Sequence, residues 1–594
     1  LGEVPRLEDL RTQFAAVFVE RDGEQAQPAA VGPDGRLLLP HDPQTLETQW
    51  EGVFAGAQEP LGDGVVSPIG WALQGRQAAT SIDRFLQGAS LSAGREKEGP
   101  QPTRLFVSLA QAVPVSAVEP QEADGVYTSD EAQREAGRCL RCECLECVKV
   151  CEYLHHFGSY PRRYAREIYN NAAIVQGEHK ANRLINSCML CGLCTEVCPE
   201  DFSMTDLCLE ARREMVAAGK MPPSAHEFAL EDYAFSHSPA FALARAEPGS
   251  EHCAYAFFPG CQLAGSNPAQ VEAVYAYLRR QFAGGVGLIL DCCGAPAFWA
   301  GRQDLFEQGV ADILEGRRRL GDPVLVFACP TCQAVVSPHL GNGEYVFLSE
   351  VMEQAGTPPR AEGPAPPLRA LHDPCTTRDA VGLQQSVRRL LAGLDQPIEE
   401  LVLSGQITEC CGYGGLQANA NPQLAAAVAA RRGGESPLEY VTYCAMCRDS
   451  LAGQGKRILH VLDLIYPTEM DPAGRAIPGW SERRENRARL KTRLLRELWD
   501  EGGGALQPWQ EVQLIIADEV QAKLDARRIL VEDVQQVIYH AEQTGDKLCH
   551  GVSGRFRASF RPRAVTFWVE YSPQDAGYEV HNAYAHRMTV ERRV

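Results

Sequence analysis

Ten cysteines between Cys261 and Cys447 spell one pattern twice: a lone Cys, a Cys-Cys-Gly, and a Cys-x-x-Cys. The first copy is Cys261, Cys292-Cys293-Gly294 and Cys329/Cys332; the second is Cys375, Cys410-Cys411-Gly412 and Cys444/Cys447. Corresponding positions lie about 115 residues apart, the mark of a duplicated structural unit. Each copy gathers five thiolates, two of them adjacent. A tetrahedral zinc takes four ligands, so the surplus points to an iron–sulfur cluster larger than a single ion.

Eight further cysteines precede these in two runs, Cys139-x2-Cys142-x4-Cys147-x3-Cys151 and Cys188-x2-Cys191-x2-Cys194-x3-Cys198-Pro199. The second run has the spacing of bacterial dicluster ferredoxins, in which the fourth Cys of each run crosses to the other cluster. That pattern assigns one [4Fe-4S] cubane to Cys139, Cys142, Cys147 and Cys198, and the other to Cys188, Cys191, Cys194 and Cys151. Cys144 is an extra thiol inside the first run and could replace one of its ligands. Cys208, Cys253, His155 and His156 read as structural residues. So do Cys549, His550, His581 and His586, whose spacing matches no recognised metal site.

The duplicated pattern resembles the CCG domain of heterodisulfide reductases and their relatives, including the iron–sulfur subunits of glycolate and lactate oxidation. The resemblance implies that each complete motif holds a CCG-type, non-cubane [4Fe-4S] cluster and that the cluster pair cleaves a disulfide one electron at a time. Gly294 and Gly412 would let the backbone approach a cluster. The interval from Cys411 to Cys444 is shorter than the family's commonest spacing. Upstream, residues 50–88 and the phrase EAGRCLRC resemble parts of glutamate synthase small subunits, which are FAD- and NAD(P)H-linked oxidoreductases. The matching helix positions are Ala72, Gly75, Arg76, Ala78, Ala79 and Ile82; where that family has an Asp after the glycines, this chain has Ala57-Gln58. No G-x-G-x-x-G follows a strand, so FAD is expected on an upstream segment or a partner. The opening residue, Leu1, suits either the carboxy-terminal part of a longer flavoprotein fusion or a remnant that docks on a separate flavoprotein.

The elements needed to hold these thiols give a multidomain α/β and α+β chain. Residues 1–88 read as the closing segment of a flavoprotein and 89–127 as a linker. Residues 128–235 read as a helical dicluster ferredoxin domain that starts at a Thr128–Glu131 capping box. Units at 250–355 and 368–466 form the duplicated α/β CCG domain. There AYAFFPG, VGLILDCC, VLVFACP, LRALHDPC, ITECCG and LEYVTYC read as strands, with cysteines at strand ends, where open α/β sheets place their sites. Residues 480–594 read as a small α+β domain for partner binding, with helices at 481–499, 509–527 and 531–543 followed by three strands.

The formal charge of −20 argues against nucleic acid and anionic membrane surfaces. No run of eighteen apolar residues suggests a membrane span, and cysteines at metal-ligand spacing suit a reducing, cytoplasmic compartment. The expected function is electron transfer within a flavin-linked oxidoreductase, between a flavin/NAD(P)H module and a thiol/disulfide or other redox partner. Its partners would be a flavoprotein or another redox subunit. No catalytic side chain is assigned. Two other readings stay open: direct action on a disulfide at the CCG clusters, and a zinc-stabilised scaffold without redox chemistry.

Overall fold

The computed structural model describes residues 7–20, 41–56, 68–95, 106–107, 113, 115–121, 126–139, 145–175, 177–360, 365–502 and 507–588. The chain divides into two compact units, Leu1–Arg104 and Leu105–Val594. In the first, strands Val17–Glu20 and Val53–Gly56 pair in parallel, and helix Pro68–Leu86 follows. The buried Arg95 guanidinium donates to Ser81 and to the Gln77 carbonyl of that helix. Ala57 and Gln58 lie outside the described residues.

The second unit opens with short helices. Thr128 caps helix Ser129–Ala136 through the capping box read from the sequence. Helices Pro161–Ala173, Asn182–Ser187 and Met204–Ala217 then surround the second cysteine run. Tyr153, Leu154, Ile168, Leu184 and Met204 close a core with Cys151, Cys188 and Cys194.

The two CCG units are separate sheets of matching order. In the first, Val286–Leu290, Tyr255–Phe258, Val324–Phe327 and Tyr345–Phe347 run parallel, with Leu243–Arg245 added antiparallel at the edge. In the second, Ile398–Glu400, Arg369–His372, Tyr440–Thr442 and Ile458–His460 repeat the four parallel strands. Helices Pro268–Gln281, Gln303–Arg319 and Val381–Gly393 cover them, as apolar positions recurring at helical spacing require. One continuous core runs from Phe257 and Leu288 through Leu371 and Val441 to Leu490. The expected strand at ITECCG is absent. Its sheet position is filled earlier by Ile398–Glu400, and Gly405–Ile407 forms a 3-10 turn because the Asp373 carboxylate holds the Gly405 amide.

Helix Trp480–Trp499 lies across helix Cys261–Ser266 of the first CCG unit. The expected helix over 509–527 begins later. Leu514–Ile516 is a strand that joins the C-terminal sheet parallel to Gly577–His586, and helix Asp518–Arg527 follows. A run of three large apolar residues, two of them β-branched, favours the pleated edge of a sheet over a helix start. Among the described residues, no helix is long and apolar enough to cross a membrane.

Candidate metal centres

The cysteines sit where strands end and helices begin. Cys329 and Cys444 are extended residues that each cap a helix, Pro330–Val336 and Ala445–Ala452, while Cys332 and Cys447 occupy the first turns. Gly294 and Gly412 both have left-handed φ, 89° and 87°, and their missing Cβ atoms would strike Phe306 and the Ala425 carbonyl. The space that demands glycine at these two positions is therefore filled by a neighbouring helix. Their backbone amides serve the sulfurs: Gly412 N–H donates to Cys410 Sγ at 3.4 Å, and Gly294 N–H reaches Cys292.

Through space the thiols make one chain. In the first CCG unit Cys261 contacts Cys292, Cys292 contacts Cys293, Cys293 contacts Cys332, and Cys332 contacts Cys329. Cys329 meets Cys444 of the second unit, where the contacts continue Cys444–Cys447–Cys411–Cys410. Cys375 Sγ lies 3.9 Å from Cys410 Sγ. Cys410 also meets Cys191 of the second cysteine run, and Cys191 lies beside Cys151 and Cys194. Cys139 and Cys147 are exposed and half-buried, Cys198 is half-buried, and Cys142 and Cys144 lie outside the described residues. Cys151, Cys188, Cys191, Cys194, Cys198 and the ten cysteines of the CCG units are free thiols.

This donor set fits inorganic clusters better than protons. Burial raises the Cys151 thiol, aided by Cys191 and Cys194, and burial with Cys191 pushes Cys194 to about 11. Hydrogen bonds from Cys292 and Cys332 pull Cys293 down to about 6. So many adjacent buried sulfurs cannot ionise together without a cationic group between them. Iron–sulfur clusters are held by such Cys thiolates, and among the described residues those brought together to hold them would be Cys151, Cys188, Cys191, Cys194 and the ten cysteines of the CCG units.

Several supporting residues had no functional reading in the sequence. Gly260, with φ 79° and ψ 153°, brings backbone so near the first site that a Cβ there would lie 2.8 Å from Cys332 Sγ. A glycine directly before a ligand cysteine was its available signal. Gly415 at φ 60° lets the second CCG loop press on Cys188, whose carbonyl would lie 2.3 Å from an added Cβ. Buried Arg212 donates to the carbonyls of Ile185, Cys188, Trp299 and Gly415. Arg378 donates to Cys191 O at 3.1 Å and Thr408 O at 2.8 Å. Cys208, read as core, is fully buried and touches Cys188, with the Tyr153 hydroxyl 3.8 Å from its sulfur. His550, His581 and His586 have separate partners in Ser553, Ser572 and Trp568.

A cavity of about 470 Å³ opens beside both CCG sites. Gln262, Gly412, Tyr413, Met446, Trp480 and Arg483 line it.

Comparison with known proteins agrees with this geometry. A 4Fe-4S dicluster domain family matches residues 138–203, and a cysteine-rich domain family matches 255–337 and 369–448. The chain thus carries an iron–sulfur dicluster domain followed by two cysteine-rich domains. It is 23% identical over 373 residues to an uncharacterized iron-sulfur protein of Methanococcus maripaludis, covering 56% of this chain and 72% of that protein. It is 24% identical over 364 residues to one subunit of the fumarate reductase (CoM/CoB) of Methanothermobacter marburgensis, covering 54% of this chain and 71% of that polypeptide. A lactate utilization protein of an Exiguobacterium species is 27% identical over 142 residues, 23% of this chain and 29% of that protein. The chain is therefore related to an iron–sulfur protein and to a reductase subunit.

Proposed function

We propose that this chain is the iron–sulfur electron-transfer subunit of a flavin-linked oxidoreductase. Its path would run from the cubane of Cys139, Cys142, Cys147 and Cys198 to that of Cys151, Cys188, Cys191 and Cys194. From there it would cross to the second CCG unit and last to the first. The observation that carries this reading is the unbroken file of sulfurs from Cys151 through Cys191, Cys410 and Cys444 to Cys261. Bound clusters would supply one-electron chemistry; the chain's own residues space them, exclude water and donate amide hydrogen bonds to the sulfurs. A flavin/NAD(P)H module on an upstream segment or partner would feed the path, and a partner subunit would complete the enzyme.

Anaerobic purification with iron, sulfide and zinc analysis tests this. About sixteen irons per chain are expected from four four-iron clusters; a colourless, zinc-loaded protein would rule the reading out and favour a scaffold.

A second reading, direct reduction of a disulfide, is favoured by the cavity that touches Gln262 and Gly412, the neighbours of Cys261 and Cys411. Two electrons and two protons would convert one bound disulfide to two thiols. A new paramagnetic signal when oxidised protein meets a thiol would support this role. Its absence, with electron transfer intact, would leave the chain a relay.

A further inference from the structure

The two CCG units present the same five thiols over different floors. With Cys261 aligned to Cys375 and Cys329 to Cys444, Phe258 corresponds to His372 and Phe327 to Thr442. Strand register extends the match. Phe258, Phe327 and Phe347 are partners across three adjacent parallel strands of the first sheet. His372, Thr442 and His460 are partners across the equivalent strands of the second. All six are buried. Three phenyl rings in one unit are thus replaced by two imidazoles and a hydroxyl in the other, and the first two of these rungs lie two or three residues before a ligand cysteine. Buried polar groups are costly unless something accepts their protons.

Arg432 Nε donates to His372 Nδ1 at 3.0 Å. A guanidinium has no lone pair to offer, so Nδ1 is the acceptor and the neutral ring carries its proton on Nε2. Nε2 has no nitrogen or oxygen partner. The ring instead lies with the sulfurs of Cys411 and Cys447, the three ligand atoms all within 4.8 Å of one another. A protonated nitrogen cannot coordinate iron, but it can donate to a thiolate. Thr442 Oγ1 likewise lacks a partner. The Leu462 amide holds His460 in the same tautomer, and its Nε2 lies by the Tyr443 carbonyl without completing a hydrogen bond. Both units contain a buried guanidinium–carboxylate pair: Arg487 with Asp232 lies by Cys261, and Arg432 with Glu435 holds the His372 ring.

We propose that the His372 N–H is a hydrogen-bond donor to the Cys411 thiolate, with Thr442 beside it, and that this polar rung holds the second unit's cluster at a more positive reduction potential than the first's. Hydrogen bonds to ligand sulfur stabilise the reduced, more negative cluster. His372 is then a positioning and tuning residue. The inference rests on the reading that each unit binds a cluster.

The test is a redox titration of the anaerobically purified full chain, followed by electron paramagnetic resonance. His372→Phe, which installs the first unit's residue, should lower one CCG midpoint by at least tenfold in the one-electron equilibrium, about 59 mV. Iron content and the other midpoints should be unchanged, and Thr442→Val should move the same midpoint by less. Wild-type chain carrying ¹⁵N-histidine should show weak nitrogen coupling at that cluster, a readout independent of any variant's folding. An unmoved midpoint overturns the proposal. So does loss of that cluster's iron together with strong nitrogen coupling in the wild type, which would make His372 a ligand. A wild-type chain with no iron in its second CCG unit sinks the underlying reading as well.

Discussion

Replacing Arg212 with Met should loosen the junction on which the sulfur file depends. Its guanidinium, fully buried, makes five hydrogen bonds to four carbonyls. Of those carbonyls, Ile185 lies in the helix before the second cysteine run and Cys188 opens that run; Trp299 belongs to the first CCG unit and Gly415 to the second. Each charged hydrogen bond contributes about 1.5–3 kcal/mol, and methionine would strand the four acceptors. Part of that loss is offset because burying the guanidinium is itself costly. Four stranded carbonyls at about 1–3 kcal/mol each, less that offset, put the net destabilisation at about 3–5 kcal/mol, against a domain stability of about 5–15 kcal/mol. Anaerobic denaturant unfolding, read by circular dichroism and by cluster absorbance, measures it. Arg212→Lys should recover less than half of the loss, since one ammonium cannot serve four diverging carbonyls. If Arg212→Met unfolds within about 1 kcal/mol of the wild type and keeps every cluster, the keystone role is wrong.

Gly260→Ala should cost the first CCG unit its cluster while sparing the others, because the new Cβ meets Cys332 Sγ at 2.8 Å in a left-handed backbone; iron analysis should fall by about four per chain, and full retention would refute the contact. Gly415→Ala should instead weaken the contact with Cys188, slowing electron exchange between the second run and the second CCG unit in freeze-quench spectroscopy, and unchanged kinetics would argue against that route. In the C-terminal domain, burial pushes the Asp533 carboxyl from 3.8 to about 7 while its oxygen accepts the Leu530 amide. Since the folded pKa is raised, this group's contribution is complete below about pH 4 and is lost as pH rises through about 7. Asp533→Asn should remove that decline, on the order of 2–4 kcal/mol, and a flat wild-type stability profile over this range would contradict it.

Much of this protein is legible without coordinates where spacing along the chain is itself the constraint. The capping box at Thr128, the helices around the second cysteine run and the strands leading into Cys261, Cys292, Cys329, Cys375 and Cys444 follow from local pattern. The misread elements are those whose partners lie far away. Leu514–Ile516 becomes a strand only because Gly577–His586 offers it an edge. The second unit's strand falls at Ile398–Glu400, beside Arg369–His372, and leaves the stretch before Cys410 to a turn held by Asp373. Arg212 and Arg378 look like ordinary basic residues in sequence. Burial against carbonyls from distant segments makes them junctions.

By itself, the order of residues determined that the thiols fall into two close-spaced runs and a twice-written Cys, Cys-Cys-Gly, Cys-x-x-Cys pattern, because these spacings are local features of the chain. Only the tertiary structure decided their order in space, with Cys191 of the second run against Cys410 of the second CCG unit and the first unit reached through Cys444 and Cys329, since that depends on how sheets and loops dock over long sequence separations. The same packing set His372, where the first repeat has Phe258, beside the sulfurs of Cys411 and Cys447.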